Sequence, residues 1–267
     1  VASEAAVVER ALRPLRERAA ECAVLSDYDG TLSPIVERPD DARMLDGVAE
    51  ALAALVPRYA LVGLISGRAL AALTRMAPVP GLAYAGNHGM ELRRRGEPER
   101  LADEAQAALP AMRAFAERWP PEALAPHGVW LEDKGVTMSF HFRTAPDPAA
   151  AERFLAANVV PAAREAGLRV TGGRLIVEIR APVAIDKGTA TRALLEGSGA
   201  RLAVWLGDDR TDLDGWRALR ELRDAGALEA AVCVAVIGAE VTAEVRDSAD
   251  VRVWGPEGAL EVLRLLA

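Results

Sequence analysis

Three short apolar runs, at residues 23–27, 60–66 and 202–206, constrain this chain most, because each is almost wholly apolar and only a few residues long. Such runs read as strands buried on both faces, which calls for a parallel sheet covered by helices on either side. A run at 82–86 fits the same sheet, and helical periodicity at 5–20, 46–55 and 69–76 supplies alternating helices. After Lys187 the alternation resumes with a helix at 189–196, the strand at 202–206, a helix at 215–222, a strand at 231–236 and a last helix.

The middle of the chain has a different period. A helix at 104–118 leads into "GVWLEDKGVTMSFHFR", two alternating strands joined by a tight Asp-Lys-Gly turn. A Pro-started helix at 147–166 and a second hairpin, "LRVTGGRLIVEIR" with Gly172-Gly173 at its turn, complete an αββαββ block. The expected organisation is an α/β core in two parts, residues 1–102 and 186–267, with an α+β insert at 103–185. Neither an internal repeat nor a low-complexity linker is evident.

Composition narrows the function classes. A formal net charge of -7 argues against a general affinity for nucleic acid or an anionic membrane, both of which need a basic field. The run Arg93-Arg94-Arg95-Gly96 reads as a solvated hairpin tip. Cys22 and Cys233 lie in strand-like apolar segments and read as small buried hydrophobes, which suits a reducing compartment. The opening residues show no basic n-region and the apolar run near 230–239 is too short to span a bilayer, so a cytoplasmic protein is expected.

In open parallel sheets, sites form at the carboxyl ends of strands. Three strands here end in polar groups: Asp27 and Asp29, Ser66-Gly67-Arg68, and Gly207-Asp208-Asp209-Arg210-Thr211-Asp212. If those strands are neighbours, five carboxylates, Asp27, Asp29, Asp208, Asp209 and Asp212, share one crevice and repel one another unless a cation is bound. All-oxygen ligands select a hard ion such as Mg²⁺. A calcium loop starting at Arg210 is the competing reading, but its first ligand position is an arginine and the residues after Gly215 read as helix.

In order and placement these residues resemble the four motifs of the haloacid dehalogenase superfamily, with a Rossmann-like core, and the αββαββ insert is similar to the cap of its sugar-phosphatase branch. Within that branch "LSDYDGTLSPI", "LISGR", "GNHGMEL", "LEDKGVTMSFHFR", "LIVEIR" and "LGDDRTDLDGW" resemble the trehalose-6-phosphate phosphatases over about residues 23–236. The resemblance implies hydrolysis of a sugar phosphate, with Asp27 as nucleophile and Asp29 as proton donor and acceptor. It implies Mg²⁺ held by the Asp27 carboxylate, the Asp29 carbonyl and Asp208, with Asp209 and Asp212 nearby, and phosphoryl oxygens bound by Ser66 and Lys187. Gly30 lets the chain turn sharply so that amides approach the phosphate, and Thr31 adds a hydroxyl. Gly67, Arg68, Asn87 and His88 join the implied substrate contacts.

In the insert, Glu132, Lys134, Arg174 and Glu178 are the expected sugar contacts, carboxylates being suited to accept from several hydroxyls. Glu178 and Arg174 share a face of their strand by parity. His127 and His141 are expected to be structural. Leu213 and Arg174 depart from the family pattern, which often has an acidic residue and a lysine there. The expected partner is a small sugar phosphate bound by a monomer. Sucrose 6-phosphate, mannosyl-phosphoglycerate or hexose phosphates are alternative substrates, and a catalytically silent domain of the same fold is the alternative class.

Overall fold

The computed structural model describes residues 4–173, 175–239 and 241–267. The chain divides into two units, one of the residues up to Arg100 together with Ile185–Ala267, the other of Leu101–Ala184. Among the described residues the strands are β1 (Cys22–Ser26), β2 (Leu61–Ile65), β3 (Ala83–Gly86), β4 (Glu91–Arg93), β5 (Arg100–Leu101), β6 (Trp130–Asp133), β7 (Thr137–His141), β8 (Arg169–Gly173), β9 (Ile176–Arg180), β10 (Leu202–Gly207), β11 (Ala230–Ile237) and β12 (Val251–Trp254).

The larger sheet has the order β12-β11-β10-β1-β2-β3-β4-β5. Pairing is parallel from β12 to β3 and turns antiparallel between β3 and β4. The apolar runs divide with period two between its faces. Cys22 and Val24 of β1 and Leu202, Val204 and Leu206 of β10 enter one apolar cluster, while Ala23, Leu25, Ala203 and Trp205 enter another. Helices Glu4–Glu17, Val48–Leu55 and Gly255–Leu266 fill the first cluster, and Lys187–Leu195 and Asp212–Asp224 the second. Leu213 packs against the second cluster, which accounts for an apolar residue at that place.

Three local expectations are corrected. Gly172 and Gly173 are not the turn of the second hairpin: they pair with Val177 and Ile176 as the end of β8, and the turn that follows includes Leu175 at φ 59°. Glycine pairs outside a turn occur where a strand runs with little side-chain packing, and nothing lies within 4 Å of a Cβ placed at Gly172. The helix expected at 147–166 is not uniform, because Pro161 has no N–H and its ring crowds the preceding turn. The helix widens over Leu155–Val159, where the Val160 N–H donates five residues back to the Leu155 carbonyl. Finally, the helix expected at 215–222 spans Asp212–Asp224, in keeping with setting the calcium-loop reading aside.

The second unit's sheet is antiparallel in the order β6-β7-β9-β8. Met138 and Phe140 of β7 are fully buried on one face, with Trp119 edge-on to Phe140 at 6.2 Å. Thr137, Ser139 and His141 point to the other.

Trp205 and Gly215 couple this packing to the polar edge of the sheet. The Trp205 Nε1–H donates to Thr191 Oγ1 at 3.0 Å, and a Cβ at Gly215 would stand 2.7 Å from the ring. A rigid, fully buried indole cannot give way, so Gly215→Ala is expected to lower stability by about 1–3 kcal/mol, read as a shift in the denaturant midpoint at unchanged slope.

Candidate active site

β10, β1 and β2 are adjacent, so the turns after them leave the sheet side by side. The backbone ladder continues one residue past β1, where the Asp27 N–H donates to the Leu206 carbonyl at 2.9 Å. That bond fixes Asp27 at the edge of the sheet. Leu32 and Ser33 then both donate to the Tyr28 carbonyl, closing a tight loop in which Gly30 takes φ 78°. A Cβ on Gly30 would lie 2.2 Å from Asp208 Oδ2, so glycine is required both for the left-handed backbone and for the approach of Asp208. Thr31 Oγ1 donates to Asp208 Oδ1 at 3.0 Å, tying the loop after β1 to the loop after β10.

Lys187 opens its helix behind an Asp186–Thr189 capping box and is 2% exposed. Its Nζ lies 2.9 Å from Asp27 Oδ2 and 2.5 Å from Asp212 Oδ1. The other Asp212 oxygen accepts the N–H groups of Asp208 at 2.8 Å and Asp209 at 2.9 Å. Asp212 therefore works as the organiser of the acidic loop, with both oxygens engaged. Burial pushes Asp27 up, to about 7, against the pull of Lys187, and Asp212 adds to the rise. Burial alone would lower Lys187, but Asp212 and Asp27 together hold it above its ordinary value, so it stays protonated.

Carboxylate oxygens of Asp27, Asp208 and Asp212 lie within 4.8 Å of one another, and all three residues are buried. Three buried carboxylates, two of them on the one ammonium, leave negative charge that is costly in a low dielectric, and the donor set is all oxygen. These residues fit a hard divalent cation. The Asp29 and Asp209 side chains stand outside that cluster. Asp29 instead forms a two-pronged pair with Arg68, 2.7 Å to Nε and 2.6 Å to Nη2.

Ser66 is buried, and its Oγ accepts the Arg68 N–H at 3.2 Å. The next turn folds back on it: Asn87 donates its N–H to the Arg68 carbonyl and His88 to the Ser66 carbonyl. Asn87 and His88 both have positive φ, 47° and 59°. The His88 ring covers Gly67, where a Cβ would lie 2.7 Å from Nε2. Glu91, within the "GNHGMEL" stretch but not singled out there, accepts from Asn87 Nδ2 at 3.0 Å and from the Leu70 N–H at 2.6 Å. Its signal was a charged residue among apolar neighbours just after an Asn-His-Gly turn.

In the second unit, register puts four residues in one row across the sheet, Glu132 opposite Ser139, Ser139 opposite Glu178 and Glu178 opposite Thr171. Glu178 is held by Lys134 Nζ at 3.3 Å and Thr171 Oγ1 at 3.3 Å. Glu132 lies 2.9 Å from His141 Nε2. Arg174 lies outside the described residues.

A mostly parallel sheet covered on both faces, with carboxylates and a buried lysine gathered at its carboxyl edge, is an α/β fold of the kind the sequence leads one to expect. The family model described as Trehalose-phosphatase matches residues 25–251, and the chain belongs to that family. A trehalose-phosphate phosphatase of Mycobacterium avium (strain 104) is 41% identical over 203 residues, 74% of this chain and 51% of that relative. The chain thus spans about half the length of the curated relatives it matches. Among solved structures, a trehalose-6-phosphate phosphatase related protein has a TM-score of 0.75 at 21% identity, covering 91% of this chain and 95% of that chain. The C-terminal domain of a C. albicans trehalose-6-phosphate phosphatase has a TM-score of 0.72 at 22% identity, covering 100% of this chain and 97% of that one.

Lys187→Met removes the ammonium that faces Asp27 and Asp212 but keeps much of the volume. In chelator at pH 8 it is expected to cost about 3–5 kcal/mol, the usual loss when a buried ion pair loses one partner. Added Mg²⁺ should restore part of that loss, and restore more of it than it adds to the wild type. Denaturant unfolding with and without Mg²⁺ measures both.

Proposed function

We propose that this chain is a magnesium-dependent phosphatase that hydrolyses trehalose 6-phosphate to trehalose and phosphate through an aspartyl-phosphate. The observation that carries this reading is Asp27, buried at the end of β1 between Lys187 and the carboxylates of Asp208 and Asp212. The family match over residues 25–251 supports the substrate.

An Asp27 oxygen attacks phosphorus, forming an acyl phosphate as the bond to the sugar oxygen breaks. Asp29 gives its proton to that departing oxygen, then takes one from the water that attacks the acyl phosphate and regenerates Asp27. Both Asp29 oxygens now face Arg68, so this step requires one of those two bonds to be released when the ester enters. Lys187 and Ser66 hold phosphoryl oxygens, the first by charge and the second by hydrogen bond, with the amides of the Gly30 turn and the Thr31 hydroxyl beside them. Asp27, Asp208 and the Asp29 carbonyl would hold Mg²⁺, which would supply positive charge toward the phosphoryl oxygens. Asp209 and Asp212 support that loop.

Residues 103–185 form the cap and residues 1–102 and 186–267 the core. Glu132, Lys134, Arg174 and Glu178 there contact sugar hydroxyls, while Gly67, Arg68, Asn87 and His88 line the core's part of the substrate site. No helix among the described residues is long and apolar enough to cross a membrane. The two cysteines are free and buried, which supports a cytoplasmic, reducing setting, and the enzyme acts as a monomer.

The direct test is phosphate release from trehalose 6-phosphate, sucrose 6-phosphate, glucose 6-phosphate and p-nitrophenyl phosphate. Trehalose 6-phosphate should give the highest kcat/KM, and chelator should abolish turnover until Mg²⁺ is returned. Asp27→Asn should retain the fold and lose turnover on every ester. Substantial turnover by that variant with Mg²⁺ present would rule out the covalent route, and a wild type inactive on all four esters would make this a silent domain.

Glu178→Gln tests the cap. It leaves Lys134 and Thr171 with a neutral partner and should lower kcat/KM for trehalose 6-phosphate by roughly one to two orders of magnitude, the loss of one or two charge-assisted bonds. Hydrolysis of p-nitrophenyl phosphate should change far less. Equal losses on both would mean that Glu178 serves the fold of its unit.

A further inference from the structure

His141, which the alternation of β7 marks as a structural residue, has a more specific setting. Its imidazole stacks on the Trp130 indole with ring centroids 4.1 Å apart and planes 10° from parallel. Its Nε2 lies 2.9 Å from Glu132 Oε2. Trp130 and His141 are directly opposite across β6 and β7, and Glu132 is the next residue of β6 on the same face. This face is the one turned away from the buried Met138 and Phe140. The three side chains therefore form a chain of contacts, indole to imidazole to carboxylate, that the unit's apolar core does not require.

We propose that His141 is a positioning residue for Glu132, held in place by Trp130, and that it fixes the orientation in which Glu132 meets the hydroxyls of a sugar. This rests on the reading of the chain as a sugar phosphatase. A carboxylate only accepts, so the imidazole donates from Nε2, and the stack with Trp130 fixes the ring plane from which that hydrogen points. A glutamate on a strand otherwise keeps free rotation about its side-chain bonds, and ordering it on binding costs affinity. Here that cost is met in the folded protein. The His141 side chain is 12% exposed and the Glu132 side chain 31%, so the orienting bond is shielded while the carboxylate remains reachable.

The same device occurs once more along the row. Glu178 is oriented by Lys134 and Thr171 as Glu132 is by His141, and Ser139 stands between the two glutamates. Two strand spacings separate them, roughly 9–10 Å of backbone. They therefore address different hydroxyls, as suits a substrate larger than one ring's edge, and each has its own orienting partner.

Two replacements at His141 separate its contacts. His141→Phe keeps an aromatic ring on Trp130 without a donor for Glu132, and His141→Gln keeps a donor without the ring. The readout is the ratio of kcat/KM for trehalose 6-phosphate to that for p-nitrophenyl phosphate. His141→Phe should lower this ratio about tenfold, mostly through KM, and His141→Gln should recover part of it. The double variant His141→Phe with Glu132→Gln should be no worse than Glu132→Gln alone, since the histidine acts only through that carboxylate. An unchanged ratio in His141→Phe overturns the proposal, as do losses that multiply in the double variant. An equal loss on both esters also overturns it, since a role in the fold alone would have that signature. Should His141→Phe fail to fold by far-UV circular dichroism, His141→Gln combined with Glu132→Gln applies the same multiplication test. A wild type that prefers another sugar phosphate overturns the trehalose reading and not this one, and the ratio is then taken with that ester. A wild type active on p-nitrophenyl phosphate alone overturns both.

Discussion

The ammonium of Lys187, buried between Asp27 and Asp212, is the interaction on which the rest of the structure depends. Its three members come from the end of β1, the start of the helix that follows the second unit and the acidic loop after β10. No local turn could gather them. Only a sheet in which β10 and β1 run parallel as neighbours brings those two loops to the same edge. The arrangement is held by mutual need, because each charge is buried and loses its compensation if another leaves. The remaining excess of carboxylate leaves an oxygen-lined edge whose donor set fits a hard cation.

Core packing reaches directly into this chemistry. Trp205, on the buried strand β10, faces Lys187 Nζ at 5.8 Å from its ring centroid and donates to Thr191. The Thr191 hydroxyl in turn donates to the Lys187 carbonyl at 2.7 Å, one turn back along the same helix. Gly215 leaves the indole its room. The lysine that Asp27 and Asp212 hold by charge is thus also backed by an uncharged ring.

Much of this was legible in the sequence, for identifiable reasons. The runs at 23–27, 60–66 and 202–206 announce two-sided burial, and their polar last residues announce an edge where function gathers. β12 was not legible, because Val251-Arg252-Val253-Trp254 is a four-residue edge strand with alternate residues exposed, a pattern shared with many loops. Nor was the role of Asp212, since five acids near one edge look equivalent until hydrogen bonds show which of them hold loops and which face a cation. Period two gave Glu178 a strand face, but cross-strand neighbours depend on register. The row Glu132-Ser139-Glu178-Thr171 and the stack of Trp130 on His141 could not be read from either strand alone. Gly172-Gly173 misled because the pair is common turn chemistry, and here both glycines are paired residues at the end of β8.

The two aspartates of "DYDG" are the same residue two positions apart, yet the fold gives them opposite surroundings. Asp27 is nearly sealed, its oxygens facing a backbone N–H and an ammonium, with two further carboxylates close by. Asp29 is about a third exposed and grips a guanidinium that is itself propped over the Tyr28 ring at 5.6 Å. An extended backbone would send both side chains to one side, and the turn at Gly30 then separates what lies around them. For a displacement at phosphorus this difference is the useful one. The attacking group needs a dry place beside fixed positive charge, where little reorganisation accompanies bond formation. The group that exchanges protons with sugar and water needs access to both, and a partner it can release. Under the proposed mechanism environment, and not residue type, would assign the two roles, and the sharp turn after the second aspartate is what makes two environments fit within three residues of chain.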